Sequence, residues 1–227
     1  MNTQLNYSTN MRERIRPNSK TRIVPHYEIK TEKDLNRQKI LWNACARTII
    51  ADYQYTDFNK PVIINLLYYI NGIEREYDLN KGLLISGSFG VGKTVLFRIL
   101  HKYCCLTANP NIFRIESVET LKNHFMEQKN FNFYNEFKPN SGKHGINLCI
   151  NEFGIDYDAS MFGVKYVESL NAFLMQRYEL FESKNLITHA TTNMNSTDYV
   201  RKYDAALSDR FKAMFNIISL GGKSYRK

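Results

Sequence analysis

The stretch "KGLLISGSFGVGKT", residues 81–94, decides the fold. Its first half is a short apolar run of strand character. Its second half, Gly87–Thr94, matches G-x-x-x-x-G-K-[ST] and leads into an amphipathic segment over 93–106 that reads as a helix. Strand, glycine-rich turn and helix in that order make a phosphate cradle. The glycines Gly87, Gly90 and Gly92 let the backbone curl so that its N–H groups converge, and the helix adds the positive end of its dipole. Lys93 reaches β- and γ-phosphates, and the Thr94 hydroxyl binds Mg²⁺. The motif therefore predicts ATP and Mg²⁺ as ligands. The residues placed around the nucleotide are Gly87, Ser88, Phe89, Gly90, Val91, Gly92, Lys93, Thr94 and Val95.

Outward from this point the chain alternates. Strands are predicted at "NIFRI" (111–115), "INLCI" (146–150), "LITHAT" (186–191) and "FNIISL" (215–220). Helices are predicted over 117–129 and 161–182, with two short ones between Ser196 and Met214. Strands alternating with helices imply a parallel sheet covered on both faces, an α/β fold of the P-loop NTPase class. Upstream, "TEKDLNRQKILWNACARTII" (31–50) reads as a helix capped at Thr31, with Leu35, Trp42, Cys45 and Ile49 on one face. "NKPVIINLLYYING" (59–72) reads as a second helix, with Asn59 as cap and Gly72 at the exit. The expected organisation is a flexible basic arm over 1–30, a helical segment over 31–72 and an ATPase domain over 73–227.

Bulk properties narrow the class. The chain has 227 residues, 43% hydrophobic and 13% aromatic, enough for a buried core. "MNTQLNYSTNMRERIRPNSK" lacks an apolar signal core, and the longest apolar-looking run, "VIINLLYYI", is too short to cross a bilayer. Cys45, Cys104, Cys105 and Cys149 show no C-x-x-C pairing and read as reduced thiols of a cytoplasmic protein. The net charge of +9 divides unevenly: +5 over residues 1–60, +4 over 198–227 and zero between. Basic ends suit nucleic acid phosphates and also serve solubility.

The second half of the candidate site is "LCINEFG", 148–154. Its strand ends in Asn151 and Glu152, at the carboxyl edge where open α/β sheets bind ligands. Glu152 is placed to orient and polarise the attacking water. Asn151 stands where an Mg²⁺-side aspartate is usual. Its amide oxygen accepts a hydrogen bond from metal-bound water but brings no charge, which predicts weaker Mg²⁺ affinity and slower turnover. Asp156 or Asp158 in the following loop is either a replacement charge or a solvated turn residue. "THATTNMN" (188–195) puts Thr192 and Asn193 at another strand end, where a polar side chain holds water or the γ-phosphate.

The ordered set "KGLLISGSFGVGKT", "LCINEFG", "LMQRYELF", "ITHATTNMN", "LSDRFKAMFN" and "LGGKSYR" resembles the AAA+ ATPases of the DnaC/DnaI bacterial helicase-loader and IstB transposition-helper group, over residues 60–227. The resemblance implies an ASCE-type AAA+ domain. It implies that Asn193 is similar to the first sensor, that Arg210 resembles an arginine finger inserted into a neighbouring subunit's site, and that Arg226 resembles the second sensor arginine. Self-association through ATP sites, a replicative helicase contacted by the N-terminal segment and single-stranded DNA are the implied partners, with no membrane. The group has an acidic residue where this chain has Asn151. By the same resemblance the face toward single-stranded DNA includes 118–145. There Val118, Leu121 and Phe125 make a core stripe, and Phe131, Phe133 and Tyr134 alternate with Lys129, Lys138 and Lys143. Those aromatics either stack on bases or pack on the domain. Three rivals to a helicase-loading ATPase stay open: a transposition helper, a non-hydrolytic ATP-dependent adaptor, and a small-molecule kinase. The kinase does not explain Asn193, Arg210 and Arg226 together.

Overall fold

A computed structural model describes residues 22–135, 146–154, 160–161, 164–194 and 205–225. Its elements in chain order are α1 (Glu32–Arg47), α2 (Asn59–Ile70), β1 (Gly82–Ser86), α3 (Lys93–Leu106), β2 (Arg114–Ser117), α4 (Val118–Gln128), α5 (Asn132–Asn135), β3 (Leu148–Phe153), β4 (Ser160–Met161), β5 (Val164–Lys165), α6 (Tyr166–Lys184), β6 (Thr188–Thr192), α7 (Ala205–Met214) and β7 (Phe215–Ser219). Five strands form one parallel sheet in the order β2-β3-β6-β1-β7, so β6 separates the strand of the phosphate loop from the strand that ends in Asn151 and Glu152. The expected parallel α/β sheet is present, and β4 and β5 form a small antiparallel pair before α6.

Alternation along the strands assigns the two faces. Leu84, Ala190 and Ile150 stand side by side on β1, β6 and β3 and meet Leu174 of α6 and Phe211 of α7 around a small apolar void. On the other face the His189 ring packs among Tyr69, Phe97 and Phe113, and its Nδ1 accepts from the Leu83 N–H at 3.1 Å. Burial pushes the His189 pKa down to about 3, with the Arg177 charge adding to the effect, so the ring is neutral in the folded protein.

Thr31 caps α1 through a capping box with Asp34, as its sequence predicts. Asn59 is the first residue of α2, with Phe58 at the N-cap position and no side chain capping it. Asn59 does not cap; it exchanges bonds with Thr56, whose N–H donates to Asn59 Oδ1 at 2.8 Å while Asn59 N–H donates to Thr56 Oγ1 at 3.2 Å. Trp42, Cys45, Ile63 and Leu66 belong to the same core cluster as Leu83 and Phe97, which ties α1 and α2 to the sheet.

Part of the 1–30 segment, expected as a flexible arm, is fastened to the body. Ile23 N–H donates to Leu79 O, His26 N–H to Asn71 O, and Asn111 brackets Val24 from both its amide atoms. Asparagine side chains hold this extended strip, so it leaves no periodic apolar pattern. Asn109 and Asn111 also hold Ile70 O, which delays β2 from the expected 111–115 to 114–117. Of the two helices expected between Ser196 and Met214, α7 is present, and 195–204 lies outside the described residues. Among the described residues no helix is long and apolar enough to cross a membrane.

Candidate functional site

The phosphate loop joins β1 to α3. Gly90 and Gly92 adopt φ of +78° and +95°, which suit a residue without a Cβ; a Cβ at Gly90 would also lie 2.1 Å from Ser224 Oγ. The loop backbone turns into the first N–H groups of the 14-residue α3. Lys93 is 8% exposed, and its Nζ donates to Gly87 O at 2.7 Å, Ser88 O at 2.8 Å and Asn193 Oδ1 at 2.6 Å. An ammonium encircled by oxygens at a helix N-terminus is a preorganised anion partner.

Behind the loop runs a chain of four polar groups. Thr94 Oγ1 and Thr191 Oγ1 both donate to Asn151 Oδ1, at 2.6 and 2.8 Å, and the Glu152 N–H donates to Thr191 Oγ1 at 2.9 Å. Thr191 is fully buried. Adjacent residues of a regular strand face opposite sides of the sheet, so Asn151 and Glu152 cannot both face the loop in an ideal β3. The structure resolves this with an irregularity: β3–β6 pairing loses register between Ile150 and Phe153, and Glu152 takes φ +64°. A left-handed glutamate costs about 1–2 kcal/mol. The distortion lets Asn151 reach Thr94 while Glu152 lines the same cavity.

That cavity has a volume of about 670 Å³ and is lined by Phe89, Gly90, Val91, Gly92, Lys93, Thr94, Val95, Leu96, Glu152 and Asn193 on the loop side. Its far side comes from Ile50, Asp52, Tyr53, Gln54, Thr56, Asn59 and Tyr225, none of which the sequence places at the site. The turn at 50–59 carries no motif. The one available signal was an aromatic beside Arg226 in the closing "GGKSYRK".

Thr191 was also missed, and Thr192 proves to face elsewhere. Its hydroxyl donates to Phe153 O at 2.8 Å and accepts from Met194 N–H, while Thr191 and Asn193, two residues apart, share the site face. Arg210 does not line its own chain's cavity; it lies over the Tyr178 ring, 5.2 Å from the centroid, with its guanidinium toward the Met175 sulfur. Arg226, Asp156, Asp158, Lys138 and Lys143 lie outside the described residues. Of the three aromatics after α4, Phe131 and Tyr134 are buried against Phe173 and so are core, not a stacking face. Phe133 alone is 49% exposed, with the Arg114 guanidinium 4.8 Å from its centroid.

Donor chemistry fits a nucleoside triphosphate: one cation at the start of a helix and an open cleft of suitable size. For Mg²⁺ the fit is partial, since Thr94 and Asn151 offer neutral oxygens, and of the two carboxylates lining the cavity Glu152 follows Asn151 while Asp52 belongs to the far side.

No protein-family model matches the chain, and no curated protein does. Solved structures do. The chain is similar to DnaI, with a TM-score of 0.55 and 20% identity over 81% of this chain and 93% of that one. It is similar to the DnaC helicase loader, with a TM-score of 0.54 and 17% identity over 81% of this chain and 99% of that one. AMPPCP-bound DnaA from Aquifex aeolicus gives 0.50 and 14%, over 77% and 50%. At such identities the likeness establishes the fold alone, a parallel α/β sheet with a phosphate loop shared with these proteins.

Proposed function

We propose that this chain binds ATP with Mg²⁺ and is a slow, oligomer-dependent ATPase that loads a replicative helicase in the cytoplasm. The observation that carries the reading is the bonded chain from Thr94 through Asn151 and Thr191 to Glu152, set opposite Lys93 and Asn193. Such an arrangement is built for a phosphate that changes state, because it links the loop, the water-activating position and the sensor position. The fold likeness to DnaI and the DnaC helicase loader supports the replication role, and the nucleotide held by the DnaA structure supports ATP.

In this reading Lys93 exchanges its carbonyl partners for β- and γ-phosphate oxygens, and Asn193 follows it to the γ-phosphate. Thr94, and Asn151 through water, would hold Mg²⁺, which would supply charge neutralisation at the phosphates. Glu152 orients the attacking water. Arg210, already turned away from its own site, enters a neighbour's, and Arg226 acts within its own subunit. Phe133 and Arg114 offer a stacking and charged contact for single-stranded DNA. The N-terminal segment contacts the helicase. A second reading, a nucleotide-gated adaptor without hydrolysis, is favoured by the neutral Asn151 amide.

The test is Mg²⁺-dependent ATP turnover with and without single-stranded DNA. Asn151→Asp should raise the rate at limiting Mg²⁺ by about tenfold, and Arg210→Ala should lower it by at least about a hundredfold. Binding of ATP without turnover in either the parent or Asn151→Asp selects the adaptor.

A further inference from the structure

Asn151 sits where the phosphate loop meets the broken pairing, and its neighbours fix the direction of its amide. Thr191 is fully buried, and its Oγ1 accepts the Glu152 N–H at 2.9 Å, so the hydroxyl proton points away from Glu152. Asn151 Oδ1 takes that proton at 2.8 Å. The Thr94 hydroxyl donates to the same oxygen at 2.6 Å. A flipped amide would bring a second donor to Thr191 and leave its proton buried, with no other acceptor among the described residues. Hydrogen-bond polarity therefore turns the amide oxygen to the two threonines and the nitrogen away from them.

Both lone pairs of Oδ1 are thereby taken, and Asn151 has left only the two N–H donors of Nδ2. Among the described residues Nδ2 donates to no protein atom, yet it is not enclosed, and Asn151 is only half-buried. Its neighbours Thr94 and Glu152 line the cavity, beside the Lys93 ammonium. A carboxylate in this place would carry a second acceptor oxygen where the amide carries a donor. Water on a metal ion presents its protons, which suit an acceptor and oppose a donor. A phosphate oxygen presents lone pairs, which suit the donor and oppose a carboxylate. The amide also leaves the site one negative charge poorer beside a polyanion.

We propose that Asn151 meets the nucleotide as a hydrogen-bond donor, its Nδ2 aimed by Thr94 and Thr191 at a phosphate oxygen, so that this chain binds ATP without needing Mg²⁺. The inference rests on the ATP-binding reading and deepens it: the metal ion becomes a requirement of turnover and not of binding. Thr94, whose hydroxyl keeps its lone pairs, is then the main residue for the ion, and the contact of Asn151 with metal-bound water is the lesser of its two. Nucleotide capture and metal capture become separate events.

Calorimetric titration of the full chain with a non-hydrolysable ATP analogue, in Mg²⁺ and in EDTA, tests it on the parent, Asn151→Asp and Asn151→Ala. The parent should lose less than about threefold in affinity when EDTA replaces Mg²⁺. Asn151→Asp, of the same size but with the donor exchanged for a charged acceptor, should lose at least about thirtyfold. In EDTA, Asn151→Ala should bind about five- to fiftyfold more weakly than the parent, because it lacks the donor and adds no charge. Its binding in Mg²⁺ shows that it is folded, and the parent's own comparison needs no variant. A parent that depends on Mg²⁺ as steeply as Asn151→Asp overturns the inference and leaves ATP binding standing. So does an Asn151→Ala that binds in EDTA as tightly as the parent, which would assign the effect to absent charge alone. A parent that binds the analogue in neither solution overturns both readings.

Discussion

The two strand pairings on either side of the site differ in regularity. Between β1 and β7 the register runs unbroken through five pairs, from Gly82–Phe215 to Ser86–Ser219. Between β3 and β6 it breaks after Ile150–Ala190 and resumes at Phe153–Thr192. The regular pairing supports the phosphate loop, whose work is done by backbone N–H groups and needs only a firm base. The broken pairing carries Asn151 and Glu152, whose work is done by side chains that must share a side. Regular structure suits binding here, and a local irregularity suits chemistry.

Three substitutions or conditions sharpen that contrast, and the largest effect belongs to the regular half. Leu83 is fully buried in β1. Leu83→Ala should cost about 2–5 kcal/mol, read from urea midpoints. A loss below about 1 kcal/mol would show that the β1–β7 half is not the rigid member.

Next comes His189, on β6 between the halves and bonded to Leu83 N–H. Its folded pKa of about 3 lies below the 6.5 of an ordinary histidine. The unfolded chain therefore takes up a proton below pH 6.5 that the folded chain refuses until about pH 3. Stability is unaffected above that window and falls as pH drops through it. Between pH 7 and pH 5 the loss from this ring should be about 2 kcal/mol. His189→Gln should remove most of that slope in the same denaturation series; an identical slope would acquit the ring.

The smallest energy belongs to the irregular half, and it has the opposite sign. Glu152→Gly relieves a left-handed backbone and should gain about 0.5–1 kcal/mol, a rise of about 2 °C in Tm. Turnover should vanish in the same variant. A fall in Tm would mean that the glutamate's conformation is not strained and that the break in register has another origin.

The same contrast explains what the sequence disclosed. The phosphate loop is eight contiguous residues with a fixed chemistry, so Lys93 and Thr94 were legible at once. Asn151, Glu152 and Asn193 were legible as polar residues at strand ends. The break that lets the first two act together was not, since alternation argues against it. Thr192 looked equivalent to Thr191 on paper, and only the pleat separates them. Phe131 and Tyr134 could not be assigned to core or surface from composition, because aromatic residues serve both. The far wall of the cavity joins Ile50 to Tyr225, a pairing that no local pattern announces.

The strip Arg22–Tyr27 has a mechanical consequence. His26 N–H is bonded to the carbonyl of Asn71, the residue that ends α2, and Asn71 in turn grips Leu67 O and the Tyr103 hydroxyl through its amide. The other end of α2 begins at Asn59, which is bonded to Thr56, and both line the cavity. Twelve residues of helix make a stiff rod about 18 Å long between the two. The strip and the cavity wall therefore share one rigid support, with His26 bonded at one end of the helix and Thr56 and Asn59 at the other.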